Sequence, residues 1–283
     1  MKTIHAIADL RAQVRAWKTA GQTLALVPTM GNLHAGHLDL VAAARAAANR
    51  TLVSLFVNPT QFGPGEDFAA YPRTLDADRE QLRRAGADLL FAPSEQTMYP
   101  HGRERLATID IPSLTGLLCG KSRPGHFVGV ASVVGKLFNL CAPDIALFGE
   151  KDFQQLTVIR QLARDLNFPV DIRAVPTRRE ADGLAMSSRN RYLTPDERRR
   201  APQLHATLHD LAERIRAGDR RYGELERQGE ARLAAAGFRP DYIAVRRVAD
   251  LLPPAPDADE ERVILAAAHL GKARLIDNIR VAS

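Results

Sequence analysis

The chain has 283 residues, 45% of them apolar and 25% charged, with a formal net charge of +6. That length buries a full core and suits one large or two unequal domains, and the composition excludes a disordered or fibrous chain. The positive balance favours anionic ligands, but 6% aromatic content without basic–aromatic interleaving argues against a nucleic-acid surface.

The first ten residues carry charges too early for a signal-peptide core, and no stretch approaches ~20 uncharged apolar residues, so no membrane span is expected. Apolar runs predict strands at 23–27, 52–57, 89–91, 145–148 and 170–175, with helical patterns at 38–49, 74–85, 127–140 and 153–166 between them. Such alternation predicts a parallel sheet covered on both faces: a doubly wound, Rossmann-like α/β fold whose ligands lie beyond the carboxyl ends of the strands. After about residue 176 the order changes. Two helices are predicted over 195–236, the first with Thr194 as N-cap and Pro195 at N1, followed by strands at 242–245, 263–267 and 273–277. The expected organisation is therefore a first domain over 1–176 and a smaller α+β domain over 177–283. The run Glu197–Arg200 reads as a solvated helix face and the Pro-rich stretch 252–256 as a surface loop. Cys119 and Cys141 form no Cys-x-x-Cys pair; they read as small apolar packing groups in a reducing, cytoplasmic setting without structural zinc.

The polar motifs follow the predicted strands, which brings four loops to one sheet edge. After 23–27 comes Pro28-Thr29-Met30-Gly31-Asn32-Leu33-His34-Ala35-Gly36-His37. A glycine turn leading into a helix offers free N–H groups to a phosphate, and His34 and His37 stand about one turn apart. The plainer alternative is a βα turn with one capping histidine and one on the surface. After 52–57 comes Asn58-Pro59-Thr60-Gln61-Phe62, after 145–148 comes Gly149-Glu150-Lys151-Asp152, and after 170–175 a polar segment runs to Met186-Ser187-Ser188-Arg189. Taken singly, Lys151-Asp152 is also an ordinary helix start and Ser187–Asn190 a generic loop. Together they supply imidazoles, cations and hydroxyls suited to a reaction at a nucleotide phosphate.

These motifs carry a resemblance. Residues 30–37 are similar to the His-x-Gly-His signature of the class I nucleotidyltransferase superfamily, and Met186-Ser187-Ser188-Arg189 to its second signature, with Arg189 where a lysine often stands. More narrowly, Pro28–Gly31, Phe56–Phe62, Arg123-Pro124-Gly125-His126-Phe127, Gly149–Leu156 and Met186–Asn190 resemble the pantothenate synthetase family. The resemblance implies an ATP-dependent ligase that joins pantoate to β-alanine through a pantoyl adenylate, with magnesium accompanying ATP. It implies ATP contacts from Met30, Gly31, Asn32, Leu33, His34, Ala35, Gly36 and His37, from Gly149, Glu150, Lys151 and Asp152, and from Met186, Ser187, Ser188 and Arg189. Among these, His37, His34, Lys151 and Arg189 would act on the phosphates, with His37 a protonated or neutral donor. Gln61 and Gln155 would hold pantoate, Gln61 would also meet β-alanine, and Asn58 would support them. A homodimer in the cytoplasm is implied as well, with 177–283 acting as a lid. The loops 63–67 and 177–189 are expected to close, because an adenylated carboxylate hydrolyses when water enters. The rival reading is an adenylyltransferase acting on a phosphorylated acceptor.

Overall fold

The computed structural model describes residues 1–255 and 258–282. Six strands form one fully parallel sheet: β1 (Lys2–Ile4), β2 (Leu24–Thr29), β3 (Arg50–Leu55), β4 (Leu89–Phe91), β5 (Ile145–Gly149) and β6 (Asp171–Val175), in the order β1-β4-β3-β2-β5-β6. Strand order reverses between β2 and β5, so a crevice opens at their carboxyl ends, the expected ligand position in such sheets.

Side-chain alternation shows why the sheet is covered twice. On β2, Leu24 and Leu26 enter one core with Leu52, Phe91 and Phe148, while Ala25 and Val27 enter another with Val53, Leu90 and Leu147. The second layer is closed by α2 (Ala35–Ala47) and α3 (Leu75–Arg84). The first is closed by α1 (Ile7–Thr19) and, after the short helices α4 (Glu95–Met98), α5 (Pro112–Thr115) and α6 (Cys119–Ser122), by α7 (His126–Cys141) and α8 (Phe153–Asp165). Helix α7 is apolar on nearly all sides and buried along most of its length, because it is enclosed by the sheet, α1 and α8.

Strand β1 and helix α1 go beyond the sequence expectation. Lys2–Ile4 is too short to show a period, and α1 buries only Leu10 and Val14 fully. The segment 195–236 holds three helices rather than two: α9 (Pro195–Arg200), α10 (Gln203–Arg216) and α11 (Tyr222–Ala235). Thr194 caps α9 as expected, in a reciprocal capping box with Glu197. Pro202 then precedes a new helix start.

The strands β7 (Arg239–Arg247), β8 (Arg262–Leu270) and β9 (Ala273–Val281) form a separate antiparallel sheet. One face, with Ile264, Ala266 and Leu275, packs under α10 and α11. The other, with Val263, Leu265 and Ala267, joins the core that contains α7 and α8. The strands are longer than the apolar runs predicted because ladder pairing continues into polar ends such as Arg247 opposite Arg262. Of the Pro-rich stretch expected as a loop, Pro256 lies outside the described residues; 252–255 form no helix or strand.

Candidate active site

The His34–His37 turn is built from behind. Gly31 has φ +80°, and a Cβ there would sit 3.0 Å from Asp78 Oδ2 and 3.1 Å from Leu55 Cδ2. The buried Asp78 carboxylate, on α3, accepts the Asn32 N–H at 2.9 Å and the Leu33 N–H at 2.8 Å. His34 is the N-cap of α2 and His37 lies in its first turn. The two rings stand 4.1 Å apart, and the His34 N–H donates to His37 Nδ1 at 3.3 Å. With Nδ1 accepting, a neutral His37 carries its proton on Nε2. Burial pushes its pKa down to about 3, helped by His34 and Lys151 and opposed by Asp152. His34 is lowered too, by burial first and then by the charge of Lys151. Both rings are therefore neutral in the free protein at ordinary pH.

The second loop is organised around an amide chain. Tyr99 Oη donates to Asn58 Oδ1 at 2.7 Å, and Asn58 Nδ2 donates to Gln61 Oε1 at 3.0 Å and to the Gly129 carbonyl at 3.2 Å. With Oε1 accepting, Gln61 turns its Nε2 outward, where it meets Met30 Sδ at 3.0 Å. Helix α7 reaches this turn through Gly129, where a Cβ would lie 2.4 Å from the Thr60 carbonyl oxygen. Asn58 is thus fully engaged, and it orients Gln61.

The Arg123–His126 motif fixes the same turn from its other side. His126 Nδ1–H donates to the Gln61 carbonyl at 2.7 Å, while its Nε2 accepts from Arg123 at 3.0 Å. Burial pushes the His126 pKa down to about 4, with the Arg123 charge next in effect, which fits this tautomer. Arg123 also makes a two-pronged pair with Glu66, at 2.6 and 2.7 Å. Burial alone would raise the Glu66 pKa, but the guanidinium holds it below its ordinary value.

Lys151 stands on the turn after β5, with its side chain 17% exposed and Nζ only loosely paired, 3.9 Å from Asp152 Oδ2. In α8 the neighbours Gln154 and Gln155 part company. Gln154 is buried and saturated, accepting from Cys119 N–H and donating to the Leu114 and Leu117 carbonyls. Gln155 has no side-chain hydrogen-bond partner among the described residues and faces open space. Arg189 Nη2 reaches Asp67 Oδ1 at 3.2 Å, which joins the segments 63–67 and 177–189 directly.

All four loops line one cleft. Its walls include Met30, His34, Gly36 and His37; Asn58 and Gln61; Gly149, Lys151, Asp152 and Gln155; and Met186 to Arg189. Gly31, Asn32, Leu33, Ala35 and Glu150 are not among its lining residues. Asn32 and Leu33 instead hold the turn through Asp78, and Glu150 lies 3.7 Å from Arg280. Arg178 and Tyr71 line the cleft without having been singled out; neither stands in a glycine turn or beside a recognisable pair. Asp78 is equally silent, since only tertiary contact brings α3 under residues 31–33. Both thiols are buried and free, as expected. Among the described residues no helix is long and apolar enough to cross a membrane.

Comparison with known proteins is consistent along the whole chain. A family described as pantoate-beta-alanine ligase matches residues 2–280. The chain is 54% identical over 281 residues to the pantothenate synthetase of Methylococcus capsulatus, covering 99% of this chain and 98% of the relative. It is similar to the crystal structure of pantothenate synthetase from Thermus thermophilus, with 46% identity, full coverage of both chains and a TM-score of 0.91. It is also similar to pantoate-beta-alanine ligase from Francisella tularensis complexed with beta-gamma ATP and beta-alanine, at 33% identity, 99% and 97% coverage and a TM-score of 0.80.

Proposed function

The chain belongs to the pantoate-beta-alanine ligase family, carbon–nitrogen ligases that join pantoate to β-alanine with ATP, and from that premise we propose how its cleft divides the work. ATP lies along the cleft-lining residues of the 30–37, 149–152 and 186–189 loops, with pantoate beside it on Gln61 and Gln155. A pantoate carboxylate oxygen attacks the α-phosphorus, the bond from that phosphorus to the bridging oxygen breaks, and pyrophosphate leaves. The β-alanine amine then attacks the acyl carbon of pantoyl adenylate. The carbon–oxygen bond to AMP breaks, the nitrogen loses its proton, and pantothenate is released.

The observation that carries this reading is the lining of one cleft by two outward amides and by His34, His37, Lys151 and Arg189. An amide such as Gln61 Nε2 can donate to a carboxylate or hydroxyl without the tight, fixed pairing of an arginine. The attacking oxygen therefore stays a competent nucleophile. Lys151, Arg189 and the neutral imidazole N–H groups face the phosphates, where charge rises in the transition state. Magnesium enters as part of the ATP substrate, neutralising phosphate charge.

Residues 1–176 form the nucleotide- and pantoate-binding domain in this reading, and 177–283 the smaller domain, of which the segment 177–189 acts as lid. The C-terminal sheet is seated by a buried apolar face, so closure is assigned to the segments 63–67 and 177–189, linked by Asp67 and Arg189. The family resemblance supports a homodimer formed through residues 1–176 and a cytoplasmic location. The test is exchange of labelled pyrophosphate into ATP. Exchange should require pantoate and proceed without β-alanine; exchange that instead needs a phosphorylated acceptor would overturn the reading in favour of an adenylyltransferase.

A further inference from the structure

Asp277 and Asn278 are two polar residues in the middle of β9, 3% and 7% exposed, and neither lines the cleft. Successive strand residues point to opposite faces. Asp277 therefore faces the α10 layer with Leu275 and Ile279, and Asn278 faces the large sheet domain with Ile276. Each finds a different part of the active site from behind.

Asn278 Nδ2 donates to the Glu150 carbonyl and to the Lys151 carbonyl, both at 2.9 Å. A primary amide has two N–H groups on one nitrogen, so it can satisfy two neighbouring carbonyls at once. These carbonyls belong to the turn that carries Lys151. Asp277 takes a two-pronged pair from Arg179, at 2.7 and 2.9 Å, and the Asn278 N–H at 2.8 Å. His205 Nδ1 stands 3.4 Å away. Arg179 lies at the base of a small hairpin. It is bridged to Ala185, the Glu180 N–H donates to the Leu184 carbonyl at 2.8 Å, and the Met186 N–H donates to the Arg178 carbonyl at 2.9 Å. That hairpin leads directly into Met186 to Arg189. A buried ion pair is a weak source of stability compared with an apolar replacement, but it fixes geometry closely.

We infer that Asp277–Asn278 is a positioning clamp for the adenylation step: Asn278 holds the Lys151 turn and Asp277 holds the base of the hairpin that presents Arg189. Adjacent residues on one strand thus set the spacing of the two cationic loops across the phosphates. The clamp rests on the proposed roles of Lys151 and Arg189. It also gives the C-terminal sheet a part in catalysis that is separate from closure.

The experiment compares Asn278→Leu with the parent, in the wild-type and Lys151→Ala backgrounds. It measures pantoate-dependent pyrophosphate exchange, conversion of synthetic pantoyl adenylate and β-alanine to pantothenate, and thermal unfolding. A misplacement of about 1 Å can cost about 100-fold, so Asn278→Leu should lower exchange about 10- to 100-fold. Acyl transfer from supplied pantoyl adenylate should lose clearly less, because no pyrophosphate departs in that step. The loss should largely vanish in the Lys151→Ala background, since both changes act on one group. Equal loss in both half-reactions, or a full further loss without Lys151, would overturn the clamp and leave a merely structural residue. If Asn278→Leu does not fold, Asn278→Ser, which retains a single donor, carries the same comparison. Failure of the functional reading itself looks different: wild-type protein would then show no pantoate-dependent exchange.

Discussion

Replacing Lys151 with alanine is expected to lower the adenylation rate by about 100- to 1,000-fold, the usual effect of removing one preorganised group from developing transition-state charge. Lys151 is suited to that effect by its surroundings. It stands at the switch point of the sheet, on the turn after β5, and its charge is felt by both His34 and His37. Its pairing with Asp152 is too loose, at 3.9 Å, to compete strongly with a triphosphate. Because the turn is held through its backbone by Asn278, loss of the side chain should leave thermal unfolding nearly unchanged. The rate of pantoyl adenylate formation under single-turnover conditions, without β-alanine, measures the effect. A rate near wild type would remove Lys151 from the phosphate site.

His37→Ala is expected to cost about 100-fold or more in the same step, whereas His37→Gln, which keeps a neutral N–H donor, should retain part of it. The distinction follows from the state of the ring. Burial, with His34 and Lys151, lowers its pKa to about 3, so the free protein holds a neutral imidazole from pH 8 to well below 5. The dependence of kcat/KM for ATP on pH, which reports the free enzyme, should then show no acid limb near 6.5 from this residue. The same shift has a sign for stability. An unfolded histidine protonates below about 6.5 while the folded one does not, so stability present above 6.5 is lost as pH falls toward 3. His126, lowered to about 4, adds in the same direction. Melting temperature should therefore fall between pH 7 and pH 5, and fall less in His37→Gln. An inflection near 6.5 in the imidazole resonances of His37 would contradict the neutral-donor assignment.

The parts of this site that were legible in the sequence are those written locally. Strands β2 and β5 are short apolar runs ended by Gly31 and Gly149, and their loops meet because parallel order brings carboxyl ends together. Gln61 and Gln155 were identified through family motifs, but only packing explains them. Tyr99 and Asn58 turn Gln61 outward, and Gln154 takes the buried role that leaves Gln155 facing the cleft. What was silent is tertiary. Asp78 serves Asn32 and Leu33 from 46 and 45 residues away, and Asn278 serves Lys151 from 127 residues away; neither lies near a motif. An Asp–Asn pair between the apolar residues Leu275, Ile276 and Ile279 was the available signal for the second. Strand β1 and helix α1 escaped because three residues show no period and α1 buries two side chains fully. The protonation of His37 also depends on burial, which a sequence pattern does not state.

Oxygen tracing tests most directly whether pantoate attacks the α-phosphorus of ATP in this cleft. Pantoate labelled with 18O in both carboxylate oxygens should transfer one label to AMP, leaving the other in pantothenate and none in pyrophosphate. Label appearing in pyrophosphate or free phosphate, with unlabelled AMP, would mean attack at a different phosphorus and would contradict the account.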